Sequence, residues 1–417
     1  MYTKRSSTGG SSRSGSSRPS FGSRYGATRP GGRPGYRSQT GGSRSRGPKG
    51  ERIDIARFVN KVTVVEEAER FVPEHKFADF KINESLKAGI IAKGYDLPTP
   101  IQDRAIPQVL NGSDVVGIAN TGTGKTAAFL IPLINKVLLN RREQVMIIVP
   151  TRELAIQIEE ELTGFTAGMK IFSVCCVGGA HIGKQISQLR YQYNFIIGTP
   201  GRLKDLINRK MIHLNEFNSI VLDEADRMLD MGFINDMRYV MAGMPKERQT
   251  LFFSATLSND IERLIQEFLR TPVRISVKTQ DTSANVEQDI IRVGRGGDKI
   301  DILRELLTQK DLTKVLIFGR TKHGVEKLSH TLAQKGFKAE SIHGNKNHAQ
   351  RQRALKLFKD DHIQILVATD VAARGLDIAD VSHVINFDIP ATHDDYVHRI
   401  GRTGRGNKKG KAFTFVD

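Results

Sequence analysis

The run Val115-Val116-Gly117-Ile118-Ala119-Asn120-Thr121-Gly122-Thr123-Gly124-Lys125-Thr126 constrains this chain more than any other stretch. An apolar segment enters a glycine-rich loop, and Ala127-Ala128-Phe129-Leu130 continue as a helix. Strand, loop, helix is the unit of an α/β layered fold. Gly122 and Gly124 let the backbone turn so that N–H groups converge, and the helix N-terminus adds its positive dipole end. A phosphate belongs there. Lys125 can reach the β- and γ-phosphates of a nucleotide, and the Thr126 hydroxyl can ligate Mg²⁺. The G-x-x-x-x-G-K-[ST] spacing is not fully met, because Ala119 takes the first glycine's place.

A second run, Val221-Leu222-Asp223-Glu224-Ala225-Asp226, reads as a buried strand ending in carboxylates. Asp223 stands where a second metal-holding carboxylate is expected, acting through water. Glu224 can polarise an attacking water as a general base. With the phosphate loop, these carboxylates point to nucleoside triphosphate hydrolysis.

Around these runs short apolar segments alternate with amphipathic ones. Val145–Val149, Asn194–Ile197, Ser219–Leu222 and Thr250–Phe253 read as buried parallel strands, and 152–162 as a helix between two of them. The rhythm lapses at the polar stretch 279–285 and restarts with strands at 314–318, 363–367, 383–387 and 412–416. Two α/β domains follow, about 74–278 and 286–417.

Residues 1–50 are Gly, Ser and Arg with few large side chains; they hold 11 of the 63 bases and none of the 45 acids. Such a segment cannot bury enough apolar surface to offset its ordering entropy, so 1–73 is expected to be a disordered basic tail and connector. The net charge of +18 suits a polyanion, nucleic acid first. In the tail, cations interleave with Tyr36, which fits salt-sensitive binding of single strands. Two adjacent cysteines, Cys175 and Cys176, suggest a reducing, cytoplasmic setting. No apolar run approaches the roughly 20 residues that span a bilayer.

In this order and spacing the motifs resemble the DEAD-box ATP-dependent RNA helicases over about residues 74–417, and the short Gly/Arg tail looks bacterial. The resemblance implies two RecA-like parallel-sheet domains in tandem, ATP and Mg²⁺ as cofactors, RNA as partner, and a monomer. It makes Gly94-Tyr95-Asp96-Leu97-Pro98-Thr99-Pro100-Ile101-Gln102, with Phe77 upstream, an adenine-sensing motif. Gln102 would pair with the base and Tyr95 stack on it. Pro150, Thr151, Arg152, Gly178, Gly179, Thr199 and Arg202 resemble the first domain's RNA motifs. Arg320, the Gln350–Arg353 segment with Arg353, and Thr369 resemble those of the second. Ser254 and Thr256 would bond the acidic loop at Asp226 and couple hydrolysis to strand separation, with His398 linking in. Asp377 would touch the ribose. His398-Arg399-Ile400-Gly401-Arg402-Thr403-Gly404-Arg405, read as one short helix, would supply Arg402 and Arg405 as arginine fingers.

Overall fold

The computed structural model describes residues 71–120, 122–277, 286–294, 297–373, 378, 380–404 and 409–416. Residues 1–70 of the expected tail and connector, the 279–285 linker, Thr121, Asp377 and Arg405 lie outside them. Thirteen strands among the described residues form two parallel sheets. The first contains β1 (Val115–Ala119), β2 (Val145–Ile148), β3 (Ser173–Cys176), β4 (Phe195–Gly198), β5 (Ser219–Leu222), β6 (Gln249–Ser254) and β7 (Val273–Val277). Its order is β3-β4-β2-β5-β6-β1-β7. The second contains β8 (Val286–Arg292), β9 (Val315–Phe318), β10 (Ala339–Ile342), β11 (Ile365–Ala368), β12 (His383–Asn386) and β13 (Gly410–Val416), in the order β10-β11-β9-β12-β13-β8.

Central strands are buried on both faces, and their side-chain period of two sorts them into two cores. In β6, Leu251 and Phe253 join the core that holds the helix Lys125–Leu139, while Phe252 joins the opposite one with Ile220 and Leu222 of β5. The second sheet repeats the pattern, with Leu316 and Phe318 on one face and Val315 and Ile317 on the other. Every described crossover between neighbouring strands is parallel, so helices cover both faces.

Register brings the motifs together. Leu222 lies opposite Phe252, and Ile118 opposite Ser254. The carboxyl ends of β5, β6 and β1 are therefore neighbours, and the acidic run, the Ser-Ala-Thr segment and the phosphate loop leave the sheet side by side. That edge is where open α/β sheets bind ligands.

Candidate active site

Gly124 closes the phosphate loop at φ +88°, and a Cβ there would lie 2.4 Å from Gln102 Nε2. Only glycine satisfies both the left-handed backbone and the close approach. Gln102, buried on the helix Pro100–Leu110, uses that gap. Its Nε2 donates to the Gly124 carbonyl at 3.0 Å, and its Oε1 accepts the Thr99 N–H at 2.9 Å. One amide hydrogen and one lone pair are left for a base edge. The loop is also closed internally, with the Thr123 hydroxyl donating to the Asn120 carbonyl at 2.8 Å. Lys125 is buried and folds back to donate to the Ala119 carbonyl at 2.8 Å, while Thr126 is half-buried beside it.

Tyr95, expected to stack on adenine, is half-buried in the structure. Its ring meets Phe77 and Phe165 at steep angles, with centroids 5.6 and 5.5 Å away, and its hydroxyl donates to Glu161 at 3.3 Å. Burial, then the charge of Glu161, pushes the phenol up to about 12. Phe77 is 1% exposed and belongs to the core. These contacts pack both rings into the first half beside the motif.

The acidic run turns sharply. Glu224 sits at φ +53°, between β5 and the short helix Ala225–Asp230, a conformation that is strained for a residue with a Cβ. Asp223 is buried and accepts the Glu224 N–H at 2.9 Å. Burial raises its carboxyl to about 6; Lys125 opposes the rise and Glu224 adds to it. A carboxyl desolvated this way calls for a cation, so the residues present fit a divalent ion. Among the described residues no three His, Cys, Asp or Glu side chains gather to hold a metal. Asp226 is the most engaged of the three. Its Oδ2 accepts the Ala255 and Thr256 N–H groups, each at 3.1 Å, and the Thr256 hydroxyl at 3.3 Å. The Ser254 hydroxyl departs from expectation. It donates to the Thr256 carbonyl at 2.8 Å and shapes the turn that Asp226 holds.

A cavity of about 400 Å³ is lined by Pro150, Thr151, Arg152, Gly178, Thr199 and Arg202, six of the seven residues singled out in the first half for RNA. The seventh, Gly179, makes room for Arg152. At φ +78°, its Cβ would fall 2.0 Å from Arg152 Nη1. Arg202 is anchored by donating to Gln185 Oε1 at 2.8 Å. Burial and the guanidinium of Arg351 lower the Arg152 pKa against the pull of Glu153. Glu153 and Asp205 share the lining with Arg152, Arg202 and Arg351, so the cavity keeps an excess of one positive charge.

Arg351 and Val371 of the second half line the same cavity. Arg351 Nε lies 2.8 Å from Glu153 Oε1, an ion pair whose angle falls outside hydrogen-bond geometry. Within the Gln350–Arg353 segment, Arg351 is the inward arginine of the helix His348–Lys359. Ala354, Leu355 and Phe358 form that helix's buried face, and Arg351 shares it at i, i+3, i+4 and i+7. Arg353 falls on the other side and is exposed. The spacing was readable in the sequence. The apolar wall of Met231, Phe233 and Val371 carried no such signal.

The remaining second-half residues are spread more widely. Arg320 has an exposed side chain, and its N–H donates to Asp388 at 2.8 Å. Thr369 is half-buried after β11. The helix His393–Ile400 ends before Arg402, so the arginines do not share one helix. Only Arg399 is on it. Arg399 is 2% exposed, grips both oxygens of Asp370 at 2.5 and 2.7 Å, donates to Asn386 and to the Asp388 carbonyl, and lies over the Phe318 ring. Sequence reasoning gave it no role; a buried guanidinium needs such partners, and they tie three strand ends together. Arg402 is buried, donates from Nε to the His398 carbonyl at 3.3 Å, and lines a small cavity with His398, Asp370 and Arg399.

Fold and site together define a phosphate-loop nucleoside triphosphatase with a second parallel sheet beside the first. Residues 99–264 match the family model described as DEAD/DEAH box helicase, and 298–407 the helicase conserved C-terminal domain. The chain belongs to the DEAD-box ATP-dependent RNA helicases. It is 46% identical to the DEAD-box ATP-dependent RNA helicase CshA of Bacillus subtilis over 82% of this chain and 69% of that protein. Against the CshA of Listeria monocytogenes the figures are 45%, 82% and 66%, so the chain spans about two thirds of these relatives' length. Among solved structures, S. cerevisiae Dbp5 bound to RNA and ADP BeF3 aligns with TM-score 0.73 and 31% identity over 82% of this chain and 89% of that one. Mss116p bound to ssRNA and AMP-PNP aligns with TM-score 0.74 and 28% identity, over 83% and 76%.

Proposed function

We propose that RNA stimulates ATP hydrolysis by this chain by holding its two halves together, and that the chain uses that closure to open short RNA duplexes. The observation that carries the reading is the 400 Å³ cavity, whose arginines come from both halves. RNA phosphates lying there would meet Arg152 and Arg202 of the first half beside the Glu153–Arg351 ion pair that joins it to the second, and so favour the closed arrangement. A strand gripped by its backbone is selected by shape and 2′-hydroxyls rather than by sequence. Its relatives' names and the RNA in the Dbp5 and Mss116p structures agree with this.

In the ATP site, Lys125 and the loop N–H groups take the phosphates, and Gln102 offers its spare donor and acceptor to adenine. Thr126 and Asp223 would hold Mg²⁺, which when bound supplies charge neutralisation on the phosphates. Glu224 takes the proton of the attacking water as its oxygen bonds to the γ-phosphorus and the bond to ADP breaks. Arg402 and Arg405 serve as fingers from the second half, and Asp377 takes the ribose. Asp226, through Thr256, and His398 relay closure between the sites. The protein acts as a monomer in the cytoplasm, from domains at about 74–278 and 286–417 joined by 279–285. Glu224→Gln is expected to abolish RNA-stimulated ATP hydrolysis while ATP and RNA still bind. Turnover at the parent rate would remove Glu224 from the mechanism.

A further inference from the structure

We infer that Arg227 is a positioning residue for Glu224, holding the carboxylate that receives the water's proton; the inference rests on the reading of Glu224 as base. Arg227 is 2% exposed, among the most deeply buried large side chains described. A guanidinium is seldom taken so far from water without a task for its charge. It curls back along the short helix Ala225–Asp230, and its Nη1 donates to Glu224 Oε2 at 2.8 Å. Both partners are nearly excluded from solvent, at 2% and 6%. Only one Glu224 oxygen is engaged by this bond, which leaves Oε1 to accept from a water.

The backbone makes the hold necessary. Glu224 occupies a left-handed conformation at the hinge between strand and helix, and it is buried there. The Arg227 N–H donates to Asp226 Oδ1 at 3.0 Å, and Asp226 in turn holds Ala255 and Thr256. The same residue thus joins the base to the loop that couples the sites. Arg227 Nη2 is buried and has no protein hydrogen-bond partner, so the guanidinium's side-chain bond to the protein is the one to Glu224. Misplacing a reacting group by about 1 Å can cost on the order of 10²-fold in rate.

The test is a cycle of Arg227→Met and Arg227→Lys in the parent and in Glu224→Gln. The readouts are poly(U)-stimulated ATP hydrolysis in steady state and radiolabelled single turnover with enzyme in excess. Arg227→Met is expected to lower kcat by roughly ten- to a hundredfold. The KM for ATP and half-saturation by poly(U) should stay within about twofold, and lysine should recover part of the rate. In the Glu224→Gln background the same substitution should change residual turnover by less than about twofold, because the group it positions is gone. Equal losses in both backgrounds, or a raised KM with kcat intact, overturn the proposal. If methionine prevents folding, the lysine variant decides: a lowered kcat with unchanged KM supports it, and parent kcat overturns it. Parent turnover by Glu224→Gln alone would instead strike at the assignment of the base.

Discussion

Gly179→Ala separates the RNA cavity from the ATP site with one methyl group. The new Cβ would stand 2.0 Å from Arg152 Nη1 and 2.6 Å from its Cζ, so the guanidinium must leave its seat against the glycine pair. The backbone at φ +78° adds about 1–2 kcal/mol of strain for a residue with a Cβ. A charge-assisted hydrogen bond is worth about 1.5–3 kcal/mol, so losing one Arg152–phosphate contact should weaken RNA binding roughly ten- to a hundredfold. Lost counterion release should also flatten the slope of log affinity against log salt by about 0.7, the value for one single-strand phosphate. Fluorescence anisotropy of a labelled poly(U) oligomer across a salt series measures both quantities. ATP affinity without RNA should not move, because Gln102, Lys125 and Gly124 lie elsewhere. Weaker binding with an unchanged salt slope would refute the argument, since Arg152 would then not be meeting a phosphate.

Asp226→Ala removes the acceptor of two backbone N–H groups, those of Ala255 and Thr256, at about 1–3 kcal/mol each, and should lower the thermal midpoint measurably. It should also reduce RNA stimulation of ATP hydrolysis more than the activity without RNA. Deleting residues 1–50 removes 11 positive charges, so RNA affinity should fall at low salt while RNA-stimulated hydrolysis at saturating RNA persists. Equal affinities for both forms across a salt series would remove the tail's role. Glu326 titrates low: burial raises its pKa, but bonds from Ser341 and His343 and the charge of Lys346 bring it to about 2. The folded value lies below the unfolded 4.5, so its stabilisation is present above pH 4.5 and is lost as pH falls toward 2. Acid unfolding of Glu326→Gln should show a flatter pH dependence over that window.

Strands were legible where burial on both faces leaves an unbroken apolar run. Ser219–Leu222 is one, and β2, β6, β9 and β12 differ from expectation by only a residue or two. The strands missed were mostly at the edges. β7 reads Val-Arg-Ile-Ser-Val and β10 reads Ala-Glu-Ser-Ile, because one side of an edge strand meets water. β8 alternates for the same reason. The site followed the same logic. Asp223 follows β5 directly, and Lys125 and Asp226 lie in the first turns of the helices that come after β1 and β5, so locating the strand locates them. Arg351 and Arg399 act across the fold from helix faces, and picking them out requires knowing which face is buried. The packing of Tyr95 was not legible, because an aromatic beside a nucleotide motif looks the same in sequence whether or not it meets Phe77 and Phe165 edge-on.

The strand order of the first sheet also sets a timetable for synthesis. β1 carries the phosphate loop, yet its hydrogen-bonded neighbours are β6 and β7, both more than a hundred residues downstream. Until Gln249–Ser254 has left the ribosome, the loop's strand has no partner on either side, and β5 lacks the neighbour that sets Asp223 beside it. A nascent chain can display the whole acidic run and still own no nucleotide site. ATP can therefore stabilise this half only late in its synthesis, after the slow non-local pairing is complete.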